Sequence, residues 1–278
     1  MKTKVTAHPY RDFELAGWEG AADAYADTFE SATRLYASAL LDAVELKSGT
    51  ELLDVACGTG YLTQLALERG ANVTGVDFSA AMLSEAARLH PLVRFARSDA
   101  EALPYSDSSF DAVTINFGVH HFPFPERALA EARHVLRESG RIAYTVWATP
   151  DKHALHGIVL EAVRGAGNAG ANVPAPPHGE LNTLAGCTDL LSAAGFNVIK
   201  EHCALVPRIL HLGSAADFTH LVESGTVRLA SLLRSQPAES RKAILLGLER
   251  AAASYERDGR LEIPVVAVLA AGAAAQAR

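Results

Sequence analysis

The sequence is short of the features that mark several protein classes. Its three cysteines are odd in number and widely spaced, so they form neither a disulfide framework nor a metal-ligand cluster. Lysine and arginine never form a dense run, and the net charge of −7 disfavours a phosphate backbone as a partner. We therefore expect a cytoplasmic protein that has no metal site and no nucleic-acid partner.

Long hydrophobic runs are scarce as well. Residues 1–12 include basic residues but no apolar segment after them, so we expect no secretory signal. The most apolar stretch, residues 263–275, is too short to span a bilayer and contains Pro264 and Gly272. A hydrophobic content of 49% is ample for a core. We expect one domain over residues 1–278, monomeric or homodimeric, with no insertion into a membrane.

Residues 51–62 are the stretch around which the chain is organised. An apolar run that carries Asp54 leads into Gly58 and Gly60, and apolar residues at helical spacing follow. This order predicts a strand, a glycine turn and a helix, which together begin a βαβ unit. Glycine is needed where a backbone turns with positive φ or lies against a ligand, and the first N–H groups of the helix are free to bind that ligand.

Strands and helices alternate from this stretch to Trp147. Further strands are predicted at 72–77, 93–96, 110–116 and 141–147, and helices at 80–90 and 125–136. Because such alternation is typical of βαβ units, it predicts a largely parallel sheet with helices on both faces.

Two other stretches could cover a ligand. Residues 12–46 are expected to form N-terminal helices, with Trp18, Tyr25 and Phe29 on one aromatic face. Residues 165–179 are rich in Gly, Ala, Asn and Pro and cannot bury enough surface to form a core element. We predict a helical lid from the first stretch and a loop or second lid from the other.

The C-terminal part, residues 148–278, is expected to hold the late strands. An extended segment over 196–210 is predicted to break at Pro207, and the last strand is predicted at 261–270. Between them, about 214–258 reads as a helical insertion with a break at its Gln-Pro pair. An insertion at this place predicts a cap over the edge of the sheet where a ligand binds.

Several nucleotide-binding classes are excluded by single positions. A dinucleotide site needs a third glycine three residues after Gly60, and Thr63 stands there. The chain has no Gly-Lys-Ser/Thr for a P-loop and no Tyr-x-x-x-Lys pair for a short-chain dehydrogenase. Asp54 suits a ligand with an ammonium group, and Asp77 at the tip of the second strand suits two ribose hydroxyls.

These stretches resemble the motifs of class I S-adenosylmethionine-dependent methyltransferases. The matching segments are Leu53 to Gly60, Val76 to Ser79 with Met82, Ser98 to Pro104, Phe110 to Val113, and Glu131 to Arg137. The resemblance covers residues 12–147 and is nearest to the group with the ubiquinone- and menaquinone-biosynthesis C-methyltransferases and many small-molecule methyltransferases. It implies an α/β, Rossmann-like, doubly wound fold with a mostly parallel seven-stranded sheet and a cofactor-binding core at 49–147.

The resemblance also implies S-adenosyl-L-methionine as the cofactor. Carried over position by position, it assigns Asp54, Ala56, Gly58 and Gly60 to the methionine end and the glycine loop. Asn116 is assigned a place next to the sulfonium.

The adenosine part is assigned to a second group of residues. Asp77 would hold the ribose hydroxyls, and Phe78 and Met82 would lie against the adenine. Asp99 would bond the adenine edge by its side chain and Ala100 by its backbone. The residue types agree with these roles, because a carboxylate suits a diol and apolar side chains suit a planar base.

The implied reaction is an in-line displacement that needs a positioned acceptor and, for some acceptors, a base. His120 and His121, just past the fourth strand, are the candidate bases, because histidine can accept a proton near neutral pH. Tyr25 is expected to reach the cofactor or the substrate, since the N-terminal helices of this family fold over the site.

Three readings of the function stay open. The first is methyl transfer to an O, N or C atom of a small organic molecule. The second is quinone-ring C-methylation, although His120 and His121 stand where that group typically has an Arg-Asn pair. The third is a regulatory protein that binds the cofactor without turnover. A nucleic-acid methyltransferase is disfavoured, because no Asn/Asp-Pro-Pro-Tyr motif follows the fourth strand.

Overall fold

The computed structural model describes residues 7–168, 173–178 and 181–275. Its helices are α1 (Pro9–Tyr25), α2 (Glu30–Thr33), α3 (Ala37–Ala43), α4 (Tyr61–Glu68), α5 (Ala80–Leu89), α6 (Pro125–Val135), α7 (Ala154–Ala166), α8 (Leu184–Ala193), α9 (Ala215–Ser224), α10 (Arg228–Arg234) and α11 (Ala238–Ala253). Its strands are β1 (Glu51–Val55), β2 (Asn72–Asp77), β3 (Arg94–Arg97), β4 (Phe110–Asn116), β5 (Leu136–Trp147), β6 (Phe196–Val198), β7 (Ala204–Leu212), β8 (Glu256–Arg257) and β9 (Arg260–Ala274).

The strands of the described residues form a single sheet. Along its main path the order is β3-β2-β1-β4-β5-β9-β6, and β7 and β8 also pair with β9. The five strands from β3 to β5 are mutually parallel, whereas β9 runs antiparallel to its neighbours. The predicted fold class is confirmed: the main path has the seven predicted strands, and β7 and β8 are two more.

Local sequence signals explain where several helices begin and end. The Ser79 hydroxyl accepts the Met82 N–H at 3.1 Å and caps α5, and Ser214 caps α9 in the same way. Gly195, at φ +82°, lies two residues beyond the end of α8, where a left-handed residue stops a helix at little cost.

Strand β9 is longer than predicted and extends past the site edge of the sheet. Its second half pairs with β5 from Ala267 onward, while residues 261–269 pair with β7. Helices α7, α9 and α11 pack on this two-stranded extension, and their buried side chains form one cluster with Phe117 and Trp147. The helices of the predicted cap therefore pack on β7 and β9, and their covering a ligand stays a prediction.

Two details differ from the predicted pattern. Pro207 does not break the extended segment, because it lies within β7 opposite Val266; the break is a 3₁₀ turn at Lys200–His202. Within the described residues β7 pairs with β9 alone, and an edge strand tolerates a residue without an N–H. The helical insertion is also interrupted a second time, at Gly225, where an added Cβ would meet Phe29 at 2.5 Å.

The predicted loop over 165–179 is only partly described. Helix α7 continues through Ala166, so the loop begins later than predicted. Residues 169–172 and Gly179 lie outside the described residues.

Candidate functional site

The site forms where β1, β2 and β4 end on one edge of the sheet. Ala56, just after β1, and Phe117, just after β4, both have φ of +56°. The two turns touch, because a Cβ added to Gly118 would lie 2.7 Å from the Ala56 Cβ. A non-glycine residue in this region costs roughly 1–2 kcal/mol, and such strain is characteristically kept at functional sites.

A first cavity of about 830 Å³ opens between this edge and α1. Most of the residues predicted to hold the cofactor line it, namely Tyr25, Ala56, Gly58, Asp77, Phe78, Met82, Asp99, Ala100 and Asn116. Asp54 and Gly60 do not line it. The two histidines predicted as bases, His120 and His121, are also in its wall.

Asp77 is buried at the carboxyl end of β2 and faces the first cavity. Its Oδ1 accepts the Ser79 N–H at 2.9 Å and its Oδ2 accepts the Gly58 N–H at 3.0 Å. Burial raises the pKa of the Asp77 carboxyl, and these N–H groups lower it in part. Because each carboxylate oxygen has about two acceptor positions, the carboxylate keeps acceptor capacity for hydroxyl groups in the cavity.

Arg11 ties α1 to the opposite wall of the first cavity. Its Nε lies 2.9 Å from Asp99 Oδ2, and its Nη2 lies 2.7 Å from Glu101 Oε2. The other oxygen of Asp99 accepts the Glu101 N–H at 2.8 Å. Both oxygens of Asp99 are thus already bonded, so any bond from its side chain to a nucleobase would use a remaining lone pair.

Asp54 lies beneath the glycine turn and not in the wall of the first cavity. Its Oδ2 accepts the Thr63 hydroxyl at 2.6 Å and its Oδ1 accepts the Thr114 hydroxyl at 3.0 Å. Burial raises the pKa of Asp54 to about 7, although the two hydroxyls lower it in part. With Glu30 and Arg34 it lines a pocket of about 360 Å³ that shares Tyr25, Thr33, Ala56, Gly58 and Asn116 with the first cavity.

The two glycines of the turn have different surroundings. Gly60 has φ of +86°, and an added Cβ would meet the Phe95 ring at 2.7 Å, so this position packs against β3. Gly58 has φ of +54°, lines both the first cavity and the smaller pocket, and has no atom within 4 Å of an added Cβ. Gly58 is therefore the position where a ligand can lie against the backbone.

Tyr25 of α1 and Asn116 of β4 both bond to Thr33 of α2. The Tyr25 hydroxyl lies 3.1 Å from Thr33 Oγ1, and Asn116 Nδ2 donates to the Thr33 carbonyl at 3.2 Å. Asn116 Oδ1 accepts the Thr145 hydroxyl at 2.7 Å. Both side chains are consequently held in fixed positions between α2 and β4.

A second cavity of about 1510 Å³ lies under the cap. It shares five wall residues with the first cavity, which are Trp18, Phe29, His120, His121 and Trp147. Its outer wall includes residues of 173–176 and of α10. Among the described residues of this wall, Arg228 is the one with a formal charge. Its Nε donates to the Pro174 carbonyl at 3.2 Å.

Trp147 forms the rigid centre of the shared wall. Its ring stacks on Phe117 at a centroid distance of 4.0 Å and on His153 at 4.4 Å. Phe29 and Tyr36 approach it edge-on at 5.9 and 5.8 Å. Because three further rings and a neutral imidazole fix its plane, Trp147 gives both cavities a hydrophobic surface of defined shape.

The two predicted base histidines have different environments. Burial, and then the nearby His121, lower the pKa of His120 well below its usual range. His121 Nδ1 lies 2.9 Å from Glu14 Oε2, and the Glu14 side chain is fully buried. The Trp18 ring approaches His121 edge-on at 5.1 Å. His121 therefore has a carboxylate partner, and His120 has no such partner among the described residues.

Several residues of this site were not predicted from the sequence. Arg11, Glu14, Glu30 and Glu101 were not singled out, although Glu14 has a recognisable signal. It lies one helical turn before Trp18 and so falls on the aromatic face of α1. A carboxylate on a face that is otherwise aromatic needs a partner, and that partner was visible only in three dimensions.

The fold and the site together define a Rossmann-like α/β protein with a nucleoside-type cavity at the carboxyl edge of its sheet. Residues 53–144 match the family described as "Methyltransferase domain". A demethylmenaquinone methyltransferase of Thermus thermophilus is 36% identical over 183 residues, which cover 60% of this chain and 83% of that protein. A demethylmenaquinone methyltransferase of Renibacterium salmoninarum is 39% identical over 118 residues, covering 42% and 50%.

The chain therefore belongs to the class I S-adenosylmethionine-dependent methyltransferases, in the group of the menaquinone- and ubiquinone-biosynthesis enzymes. A solved structure, the YcgJ protein of Bacillus subtilis, shares the fold with a TM-score of 0.56 at 20% identity, over 88% of this chain and all of that one. The chain spans about half the length of several curated relatives that it matches. The family model itself matches only residues 53–144, which run from β1 into β5.

Proposed function

We propose that this protein transfers a methyl group from S-adenosylmethionine to an O, N or C atom of a small organic molecule held in the second cavity. The observation that carries the proposal is the shared wall, where the two cavities meet at five aromatic and histidine side chains. A donor in one cavity and an acceptor in the other would meet there at short range, which is the main requirement of an in-line displacement.

The described residues suit the cofactor. Asp77 offers two acceptor positions to a ribose diol, Phe78 and Met82 offer apolar surface to a base, and Gly58 lets a ligand lie against the turn. Asp54, with its pKa of about 7, would meet the ammonium end across the smaller pocket. When bound, S-adenosylmethionine supplies a methyl group already activated by a positively charged sulfur.

The residues of the chain orient the acceptor and exclude water from the junction of the two cavities. Trp147, Phe29 and Phe117 present fixed rings at the junction, which excludes water and favours a flat acceptor. Both predicted bases line the two cavities, and we assign the proton-accepting role to His121 because it alone of the two has a carboxylate partner among the described residues. His120 is assigned to the wall of the second cavity.

Quinone-ring C-methylation is retained as a second candidate, because the curated relatives carry that activity in their names. The absence of a nucleic-acid partner, of a metal and of membrane insertion stays a prediction, as do the cytoplasmic location and the monomeric or homodimeric state. Within the described residues no helix is long and apolar enough to cross a membrane.

The decisive experiment measures S-adenosylhomocysteine formation with a panel of phenols, quinols, heterocycles and carboxylic acids. We expect turnover with at least one planar acceptor, and none with the Asp77→Ala variant at the same cofactor concentration. Turnover restricted to quinols would support the second candidate. Tight cofactor binding in calorimetry without turnover across the panel would support the regulatory reading, and absence of binding would refute the proposal.

A further inference from the structure

Glu14 is a buried acid that the cofactor site does not use. It lies in the middle of α1, its side chain is fully buried, and its Oε2 is 2.9 Å from His121 Nδ1. Burying a carboxylate is costly unless a charged or hydrogen-bonding partner compensates it, and His121 is the partner at ion-pair distance. The position therefore calls for an explanation beyond packing.

We propose that Glu14 and His121 form a carboxylate–histidine dyad that removes the proton from a hydroxyl group of the acceptor. This inference rests on the proposed methyl transfer and names its acceptor class, a phenol or an enol. Glu14 is a positioning residue in this dyad, because it acts on the acceptor only through His121.

The geometry sets the direction of the proton. The contact of His121 Nδ1 with Glu14 Oε2 has the distance of an ion pair, 2.9 Å, without the angles of a hydrogen bond. Because a carboxylate accepts but does not donate, a neutral ring that faces it with Nδ1 is stabilised by carrying its proton on that nitrogen. Nε2 is then the nitrogen with a lone pair. Since the ring lines both cavities, this nitrogen is the one that can face an acceptor at their junction.

The charges also balance across the reaction. The hydroxyl proton of the acceptor moves to Nε2, and the oxygen keeps the electron pair of its O–H bond. With a pair of its electrons the oxygen bonds the methyl carbon, and the methyl–sulfur bond breaks with its pair left on sulfur. The positive charge has then moved from sulfur to His121, where the Glu14 carboxylate offsets it.

The groups around the dyad support this arrangement. Burial raises the pKa of the Tyr10 phenol, and the neighbouring Glu14 raises it further, so Tyr10 stays neutral beside the carboxylate. The Tyr10 hydroxyl donates to the His120 carbonyl at 3.1 Å and so ties α1 to the histidine turn. The ring centroid of His120 is 4.1 Å from that of His121, and burial keeps the pKa of His120 low, so no second cation competes at that position.

The first test needs no substrate. Nitrogen-15 NMR of histidine-labelled protein distinguishes the two neutral tautomers, and a His121→Gln sample identifies the signals of His121. We expect the Nδ1–H tautomer in the wild-type protein and its loss in Glu14→Leu. A neutral ring protonated on Nε2 would overturn the proposal, because that nitrogen could not accept a proton.

The second test separates chemistry from structure. A phenol that is mostly ionised at the assay pH, 4-nitrophenol, is compared with one that is not, 4-methylphenol. We expect Glu14→Leu and His121→Gln to lower kcat for 4-methylphenol at least tenfold more than kcat for 4-nitrophenol, and we expect Glu14→Asp to restore part of the loss. Equal losses of kcat with both phenols would show that Glu14 and His121 have only a structural role. Turnover confined to acceptors without a hydroxyl group would exclude phenols and enols as the acceptor class.

Calorimetry with S-adenosylhomocysteine accompanies both tests. We expect the dyad variants to retain binding, with a loss of affinity smaller than their loss of kcat for 4-methylphenol. If the protein binds S-adenosylhomocysteine and His121 is protonated on Nε2, the dyad is refuted and the proposed function stands. If the wild-type protein does not bind S-adenosylhomocysteine, the proposed function is refuted.

Discussion

The glycine turn offers a paired prediction, because Gly58 and Gly60 have the same handedness and different surroundings. Either residue changed to alanine must hold a left-handed backbone, which costs roughly 1–2 kcal/mol. Ala56 already holds φ of +56° two residues earlier, so the turn accepts alanine in this conformation. The backbone cost should therefore be similar in the two variants.

Packing then separates the two variants. An added Cβ at Gly60 would meet the Phe95 ring at 2.7 Å and His90 at 3.1 Å, and overpacking of this kind costs about 1–3 kcal/mol more. At Gly58 the added methyl meets nothing, but it enters the space beside both pockets. We expect Gly60→Ala to lose about 2–5 kcal/mol of unfolding free energy and Gly58→Ala only about 1–2 kcal/mol.

For cofactor affinity the two variants should rank in the opposite order to their stabilities. Gly58→Ala should weaken S-adenosylhomocysteine binding by at least about tenfold, or about 1.4 kcal/mol, and Gly60→Ala should change it little while it remains folded. Urea unfolding followed by circular dichroism gives the stabilities, and calorimetry gives the affinities. Gly20→Ala is the control, since it lies in α1 with open space around it and should not lower stability. Unchanged affinity in Gly58→Ala, or equal stability of the two turn variants, would refute the reasoning.

Three further predictions follow from the same edge of the sheet. Asp77→Ala should weaken cofactor binding severely. It also leaves two buried N–H groups without their acceptor, so the free energy of unfolding must be measured beside the affinity. Unchanged affinity in calorimetry would contradict the role of Asp77 in cofactor binding. The pKa of folded Asp54, about 7, lies above its unfolded value, so its contribution to stability is full at acidic pH and is lost as the pH rises through about 7. Urea unfolding at several pH values should show that the unfolding free energy of Asp54→Asn depends less on pH than that of the wild-type protein. The same pH dependence in both proteins would contradict the prediction. Val173 and Ala175 line the second cavity, so exchange of their amide hydrogens should slow when cofactor and acceptor are both present, and unchanged exchange would contradict a lid role for this segment.

Short-range patterns predicted the core of the fold. The strand-turn-helix at 51–62 and the alternation up to Trp147 are local features, because strand and helix periods are set by neighbouring residues. The path of seven strands and the family were both confirmed. Pro207 and the length of β9 were misjudged, because an edge position and a pairing partner are properties of the sheet.

The site was predictable in part for the same reason. Asp77, Phe78 and Met82 follow a strand end, and strand ends of a parallel sheet meet at one edge, so their common location could be inferred from order alone. Arg11 with Asp99 and Glu14 with His121 are separated by about a hundred residues, and no local pattern pairs them. The same holds for the second cavity, whose wall combines α1, the turn after β4 and the cap.

The sequence by itself indicated the cofactor class, because the motifs after β1 and β2 that resemble those of the family are local and keep their spacing wherever the rest of the chain lies. Only the tertiary structure decided which of two adjacent histidines has an acid partner. Neighbours in sequence within a turn point in different directions, and the packing of α1 places Glu14 against His121 while His120 is buried in the wall of the second cavity. It likewise decided that Gly60 serves packing and Gly58 faces open space, because the two share one conformation and differ only in what lies beyond the Cα.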